Sequence, residues 1–514
     1  MPESNINNKR IAKNTLLLYF RMFLIMAITL YTSRVILQAL GVQDYGVYNV
    51  VGGFVTMFGI LTSSLSASIS RYITVELGKK NEERLHTVFS TSIKIQILMS
   101  IVIAILAEAI GLWFLYNKMQ IPDGRYLAAQ WVLHCSILSF IISLIYVPYN
   151  SAIIAHEKMA VFAYISVFEA AAKLGIVYLL LVSPFDRLIS YAILLQIVHL
   201  LLFSIYALYC RRHFAECRGR AKFEKQIFKD MWSFAGWSLM GNAAYVFNTQ
   251  GVNMVMNVFF GVVVNAARGI ANQVSGAVTQ FVNNFTMALN PQIIKSYASG
   301  DKEGAFILTC RGAKFSFLLM YTIALPIMLE ADKILQLWLV TPPEGSQAFV
   351  IWTILAALTT TVGSTLLTLI NAHGDIRRYQ MYMTLFGFGP FPLTWLAYEI
   401  GGSVIWAYII YFVVYYILIF IRLWLVHAKT GIPYKLYMKE AILRTHVVAV
   451  VAMVLPMLAI HFIEPSLIRL VLTFILCITS CCISVLYLGL TKREKDAILN
   501  KLIVLINKHN KYGK

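Results

Sequence analysis

Residues Tyr45 to Phe58 read YGVYNVVGGFVTMF, and 223 residues later Arg268 to Phe281 read RGIANQVSGAVTQF. Gly46, Asn49, Val51, Gly53, Val55, Thr56 and Phe58 return as Gly269, Asn272, Val274, Gly276, Val278, Thr279 and Phe281, half of a fourteen-residue window. Such a match points to an internal duplication, and both copies lie inside long apolar runs. Ala155-His156 and Ala372-His373 form a weaker echo of it.

Around these strings the chain is 59% hydrophobic and only 13% charged, where soluble domains carry about a quarter charged residues. One soluble core cannot hide that much apolar surface, so the solvent is a bilayer. A helix needs roughly 20 apolar residues to cross it. Stretches near 14–38, 43–70, 87–116, 127–150, 159–183, 188–210, 231–258, 262–290, 305–340, 347–371, 379–399, 403–427, 441–462 and 466–490 meet that length. Lipid cannot satisfy an open sheet edge, and a barrel would show short alternating segments instead. The expected fold is therefore all-α and integral to the membrane, with about 14 transmembrane helices.

The repeated strings fall in the second and eighth spans. Six spans apart, they cross in the same direction, which predicts two six-helix lobes related by an axis along the membrane normal. The expected organisation is an N-lobe over 1–210, a basic linker over 211–230, a C-lobe over 231–428, an extra helix pair over 429–490 and a basic tail over 491–514. In such repeats the substrate site lies between the lobes.

The net charge of +19 would suggest nucleic acid in a soluble protein. Here the basic residues gather in the even-numbered gaps and both tails, so the positive-inside rule puts both termini in the cytoplasm. No nucleic-acid partner is expected. The N-terminus is basic but lacks a small-residue cleavage site before a short apolar core, so the first span is read as retained. The seven cysteines show no metal-ligand spacing and no pairing for a structural disulfide. Walker-type, HExxH and paired-cysteine motifs are missing, so no enzyme activity, cofactor or metal is expected.

Charge inside a span costs several kcal/mol and faces a partner or a wet cavity. Arg21, Lys94 and Lys314 lie about 10–12 Å in from the cytoplasmic side, Arg268 about 9 Å in from the other, and Lys173 near mid-span. Arginine grips phosphate oxygens as a fork and lysine as a point charge. These five are the candidate path for a diphosphate group. For Arg21, Lys94, Arg268 and Lys314 the competing reading is snorkelling to headgroups, which is the preferred reading for Arg34 and Arg422. For Lys173 it is an ion pair with Glu169, one turn earlier. Glu169 is also the candidate for binding a coupling ion. Asn242, Asn248, Asn272, Gln273 and Gln280 belong to amide-rich spans seven and eight, which either line a cavity for sugar hydroxyls or hydrogen-bond between helices. The tail is read as an amphipathic helix on the inner leaflet or a frayed end.

The run from Asn14 through Arg21-Met22, Arg34-Val35, Leu40-Gly41 and Tyr45-Gly46-Val47-Tyr48-Asn49 resembles polysaccharide biosynthesis proteins. These are the Wzx-type O-antigen flippases of the multidrug/oligosaccharidyl-lipid/polysaccharide exporter superfamily. Asn290-Pro291 and Ile334 to Leu339 (ILQLWL) fit the same pattern. The resemblance implies twelve core helices, often with two more, that alternate between inward- and outward-open forms. It also implies movement of an undecaprenyl-diphosphate-linked oligosaccharide to the periplasmic face of a bacterial inner membrane. A polysaccharide polymerase and glycosyltransferases are the expected partners. The rival readings are a cation-coupled multidrug exporter, a flippase of the peptidoglycan lipid precursor, and a structural membrane scaffold. The excess of basic over acidic intramembrane residues favours an anionic substrate over a cationic drug.

Overall fold

The structure, a computed structural model, describes residues 2–59, 69, 72–73, 76–77, 81–156, 158–218, 224–229, 246–492 and 494–496. Its helices are α1 (Pro2–Thr56), α2 (Glu82–Asn117), α3 (Tyr126–Ala155), α4 (Met159–Val182), α5 (Arg187–His213), α6 (Val252–Phe260), α7 (Val262–Ala298) and α8 (Lys302–Leu329). There follow α9 (Ala331–Leu339), α10 (Ser346–His373), α11 (Arg377–Gly387), α12 (Pro390–Glu399), α13 (Trp406–Thr430), α14 (Tyr434–Phe462) and α15 (Leu467–Gly489). Among the described residues there is no strand. The all-α membrane architecture expected from composition is the one observed.

Among the described residues ten helices are long and apolar enough to cross a membrane, and each difference from fourteen has a local cause. The first two expected spans run on as α1, parted only by a backbone break at Gly41 (φ 78°, ψ 170°). That left-handed φ is open to glycine at no steric cost. Span seven begins among residues outside the described set. Span eleven is broken at Gly387 to Pro390 into the short α11 and α12. Span eight is α7, long enough at 37 residues but too polar to count with the ten.

The chain packs as two compact units. The first holds α1 to α6, the opening of α7 as far as Ile270, and the segment Thr384–Ala407. Its outer surface is apolar, as lipid requires: Ile97, Leu98, Ile101, Val102 and Ile105 form one exposed stripe of α2. At one end Arg125, in the α2–α3 connection, holds two carboxylates. Its Nε and Nη2 reach Asp44, just past the Gly41 break, and its Nη1 and Nη2 reach Asp186, the N-cap of α5. At the other end His156, after α3, is 2.6 Å from Glu216 and stacks on Phe214 with ring centroids 4.0 Å apart.

In the second unit α8 is the central helix, packed against α10, α14 and α15. The extra pair α14–α15 is clamped to it at both ends. Arg469 of α15 makes a forked pair with Glu330 at the end of α8 (2.8 and 2.9 Å), and Thr473 donates to the same carboxylate. Between the clamps Tyr321 donates to the carbonyl of Ala449 at 2.7 Å. His373, the counterpart of His156 in the sequence echo, hydrogen-bonds Tyr297 at 3.0 Å. Arg422 does not snorkel as expected: its Nη1 donates to the carbonyl of Gly363 at 2.7 Å, where α10 is interrupted.

Candidate functional site

In the first unit the glycines of the repeat are points of backbone contact. A Cβ on Gly46 would stand 2.1 Å from the carbonyl oxygen of Val262, and one on Gly269 would stand 2.8 Å from the amide of Asn49. Helices in lipid gain from such close approach because dispersion and polar contacts, not hydrophobicity, hold them together. The amides around this crossing form a closed lattice. Asn257 donates to Asn265 at 3.0 Å, Asn265 donates to the side-chain oxygen of Asn253 at 2.9 Å, and Asn253 donates to the carbonyl of Asn49. The backbone N–H of Gln120 donates to Asn257 at 2.9 Å. Asn248 is fully buried and donates to the carbonyl of Gly387. These amides, from Asn248 to Asn265, join helices to one another. Asn242 lies outside the described residues.

Beyond Ile270 the amides of α7 behave differently. Asn272, Gly276, Gln280 and Asn283 are exposed, while Ala271, Val274, Ser275, Val278 and Val282 are buried. At 100° per residue the four exposed positions make one line along the helix. Gln273 is half-buried beside that line. A Cβ on Gly276 would meet nothing within 4 Å. The exposed face of α7 is thus polar where that of α2 is aliphatic, and a spanning helix tolerates such a face against water or polar ligand, not lipid.

The five basic candidates are placed differently from one another. Arg21 is on α1, its side chain outside the described ones. Lys94 is exposed on α2, in line with Ile97 and Ile101. Arg268 is buried, its Nη1 3.2 Å from the sulfur of Met256 and its Nη2 3.3 Å from the carbonyl oxygen of Thr249. Lys173 donates to Glu169 at 2.6 Å, and the two side chains are 39% and 37% exposed. Lys314 is fully buried.

Around Lys314 lies a network that sequence reading missed. Its ammonium is 2.6 Å from Glu494 and 3.7 Å from Glu440, with Arg311 on Glu494 and Arg444 on Glu440. Glu440 is presented by a wide turn, Met438–Leu443, early in α14. Burial raises the pKa of Glu494, but the Lys314 ammonium and the Thr491 N–H outweigh it and hold the carboxyl below its usual range. The readable signal was Thr491-x-x-Glu494, a capping box. The Thr491 N–H donates to Glu494 at 2.9 Å, and the Glu494 N–H donates to the Thr491 hydroxyl at 3.3 Å. Also missed was His134 on α3, 2.5 Å from Glu108 of α2. No group of three or more potential metal ligands occurs among the described residues.

Solved structures show the same fold. The lipid II flippase MurJ in an inward-closed conformation superposes with a TM-score of 0.68 at 13% identity, over 92% of this chain and 98% of that one. An inward-facing multidrug resistance MATE family transporter of the MOP superfamily gives 0.64 at 14% identity, over 81% and 99%. A MOP superfamily transporter from Pyrococcus furiosus, whose binding pocket is described as having reverse polarity, gives 0.59 at 14% identity, over 82% and 96%. No curated protein sequence matches the chain. Residues 11–296, more than half the chain, match the family described as polysaccharide biosynthesis protein. With the membrane-spanning helices and this likeness of fold, that match makes the chain a member of the polysaccharide biosynthesis protein family, built on the MOP transporter fold.

Proposed function

We propose that the protein is a flippase. It moves a polyprenyl-diphosphate-linked oligosaccharide, in bacteria on undecaprenyl, from the cytoplasmic to the periplasmic leaflet of the inner membrane. The observation that carries this reading is the polar exposed line Asn272–Gly276–Gln280–Asn283 on a helix of spanning length. Amide side chains offer both donors and acceptors to sugar hydroxyls, while the polyprenyl tail stays in lipid. Lobes over spans 1–6 and 7–12 alternate in access, and both termini stay in the cytoplasm. Arg21, Lys173 and Arg268 escort the diphosphate, while Lys94, in line with the lipid-facing Ile97 and Ile101, reaches for headgroups. Lys314, held by two carboxylates, serves as a staple for the extra helix pair. Glu169 is the group that answers substrate binding with an ion. Glycosyltransferases supply the cargo and a polymerase consumes it.

Deletion tests the function: cells lacking the protein accumulate lipid-linked oligosaccharide on the cytoplasmic side. The double variant Arg21→Ala/Arg268→Ala loses export at an unchanged membrane level of protein. Full export by that variant rejects the cationic path, and unchanged sidedness of the lipid-linked sugar on deletion rejects the flippase.

A further inference from the structure

Thr359 to Ser364 of α10 read TTTVGS, a run of β-branched residues and glycine with little preference for helix. The hydroxyls of Thr359, Thr360 and Thr361 turn back to the carbonyls of Ala356 and Ala357 at 2.6 to 2.9 Å. Ser364 donates to the Thr361 carbonyl at 2.9 Å. Such back-bonding competes with the backbone ladder and bends helices, and kinks gather at glycine–serine pairs. Here one regular stretch ends at Val362 and the next begins at Ser364. Between them the Gly363 N–H donates to the carbonyl of Thr360, three residues back instead of four, at 3.2 Å. Gly363 is about 26 Å from one end of α10 and about 15 Å from the other. At that depth no water is at hand, and a carbonyl freed from the ladder needs a donor from the protein.

Two donors come from outside α10. The hydroxyl of Tyr437, a fully buried residue of α14, donates to the Val362 carbonyl. Arg422 of α13 donates to the Gly363 carbonyl at 2.7 Å. A Cβ on Gly363 would stand 2.6 Å from that guanidinium, so glycine is what lets it in. Val413, Ile417, Phe420 and Trp424 form the exposed stripe of α13, and at 100° per residue Arg422 lies on the opposite side. Tyr437 directly precedes the wide turn Met438–Leu443, which carries Glu440 to Lys314. From one turn, then, the extra helix pair reaches α8 through Glu440 and the break in α10 through Tyr437. We propose that α10 bends about Gly363 and that Tyr437 is the latch holding the bent form. On straightening, the Val362 carbonyl leaves the Tyr437 hydroxyl for the N–H of Leu366, its partner four residues on. One hydrogen bond replaces another, so the two forms lie close in energy and a modest bias moves the population. The pair α14–α15 thereby sets the bend of α10 as well as bracing α8. The inference stands on contacts within the second unit and holds for any cargo.

The test is fluorine NMR on the full chain in lipid nanodiscs. A trifluoromethyl probe is attached through Asn371→Cys, an exposed position past the break, in a chain with its native cysteines replaced. Tyr437→Phe keeps the ring and removes the hydroxyl. It is expected to move the ratio of bent to straight resonances at least about tenfold toward the straight form. Arg422→Met, which withdraws the second donor, should move the ratio in the same direction. Tyr321→Phe is the control, because it removes an equally buried hydroxyl from the Ala449 carbonyl of α14, away from the break. It should leave the ratio as in wild type. A spectrum unchanged by both Tyr437→Phe and Arg422→Met overturns the hinge. An equal shift in Tyr437→Phe and Tyr321→Phe does so too, since it would report general loosening and no latch.

Discussion

At the scale of single residues, what separates one amide or lysine from the next is its surroundings. Asn265 and Gln280 lie on the same helix, yet one is sealed in a lattice and the other is exposed. Single cysteines at Asn272, Gln280 and Asn283, in a chain with its native cysteines replaced, should react with a membrane-impermeant maleimide. Cysteines at Ile101 and Ile105 should not; equal labelling of both sets would deny that the α7 face is wet. Glu494→Ala leaves Lys314 and Arg311 with one carboxylate fewer in a buried site, and breaking such a pair costs about 3–5 kcal/mol. A large drop in the thermal unfolding temperature in detergent is expected. Because the folded-state pKa of Glu494 is depressed, its contribution is complete above the unfolded-state pKa and is lost as pH falls through the folded value. Wild type should therefore lose stability on acidification below the ordinary glutamate range, and Glu494→Gln should lose less.

At the scale of elements, helix crossings and end staples carry the load. Gly46→Val would drive a side chain into the Val262 carbonyl, a case of overpacking that costs upward of about 2 kcal/mol. Gly276→Ala, with open space around it, should leave the unfolding temperature unchanged; the opposite order would refute the crossing. Arg125→Ala unties α1 from the α5 N-terminus. Its side chain is 24% exposed, so the cost expected is about 2 kcal/mol, below that of a fully buried pair. Burial raises the pKa of Asp186, but Arg125 and the two capping N–H groups bring it below the usual range. Arg125→Ala should therefore also reduce the loss of stability between neutral and acid pH.

These elements were legible in the sequence to different degrees. Apolar length and charge placement announce the spans, because lipid imposes both along the local chain. Three features hid from a one-dimensional reading. The break at Gly387 to Pro390 splits a run that carries no charge from Tyr379 to Ala397. The division of the amides into lattice and exposed line depends on which helix face packs. The counter-charge of Lys314 arrives 180 residues later, from Glu494, and that of Glu330 arrives 139 residues later, from Arg469.

At the scale of the whole molecule, the chain belongs to the polysaccharide biosynthesis family and has the MOP fold, and the proposed function turns on what cargo crosses. A helix with one polar face, basic groups at depth and a counter-ion within reach suit a head that is both sugar and diphosphate. The most direct test is flipping in proteoliposomes. Their bilayer carries a fluorescent polyprenyl diphosphate-linked glycan, with a membrane-impermeant reductant added outside. With wild-type protein, fluorescence should fall well past the half that represents the outer leaflet, and Gln280→Leu/Asn283→Leu should slow that second phase at least about tenfold. Quenching that stops at half with folded wild-type protein, or proceeds equally fast in the leucine variant, would contradict the account.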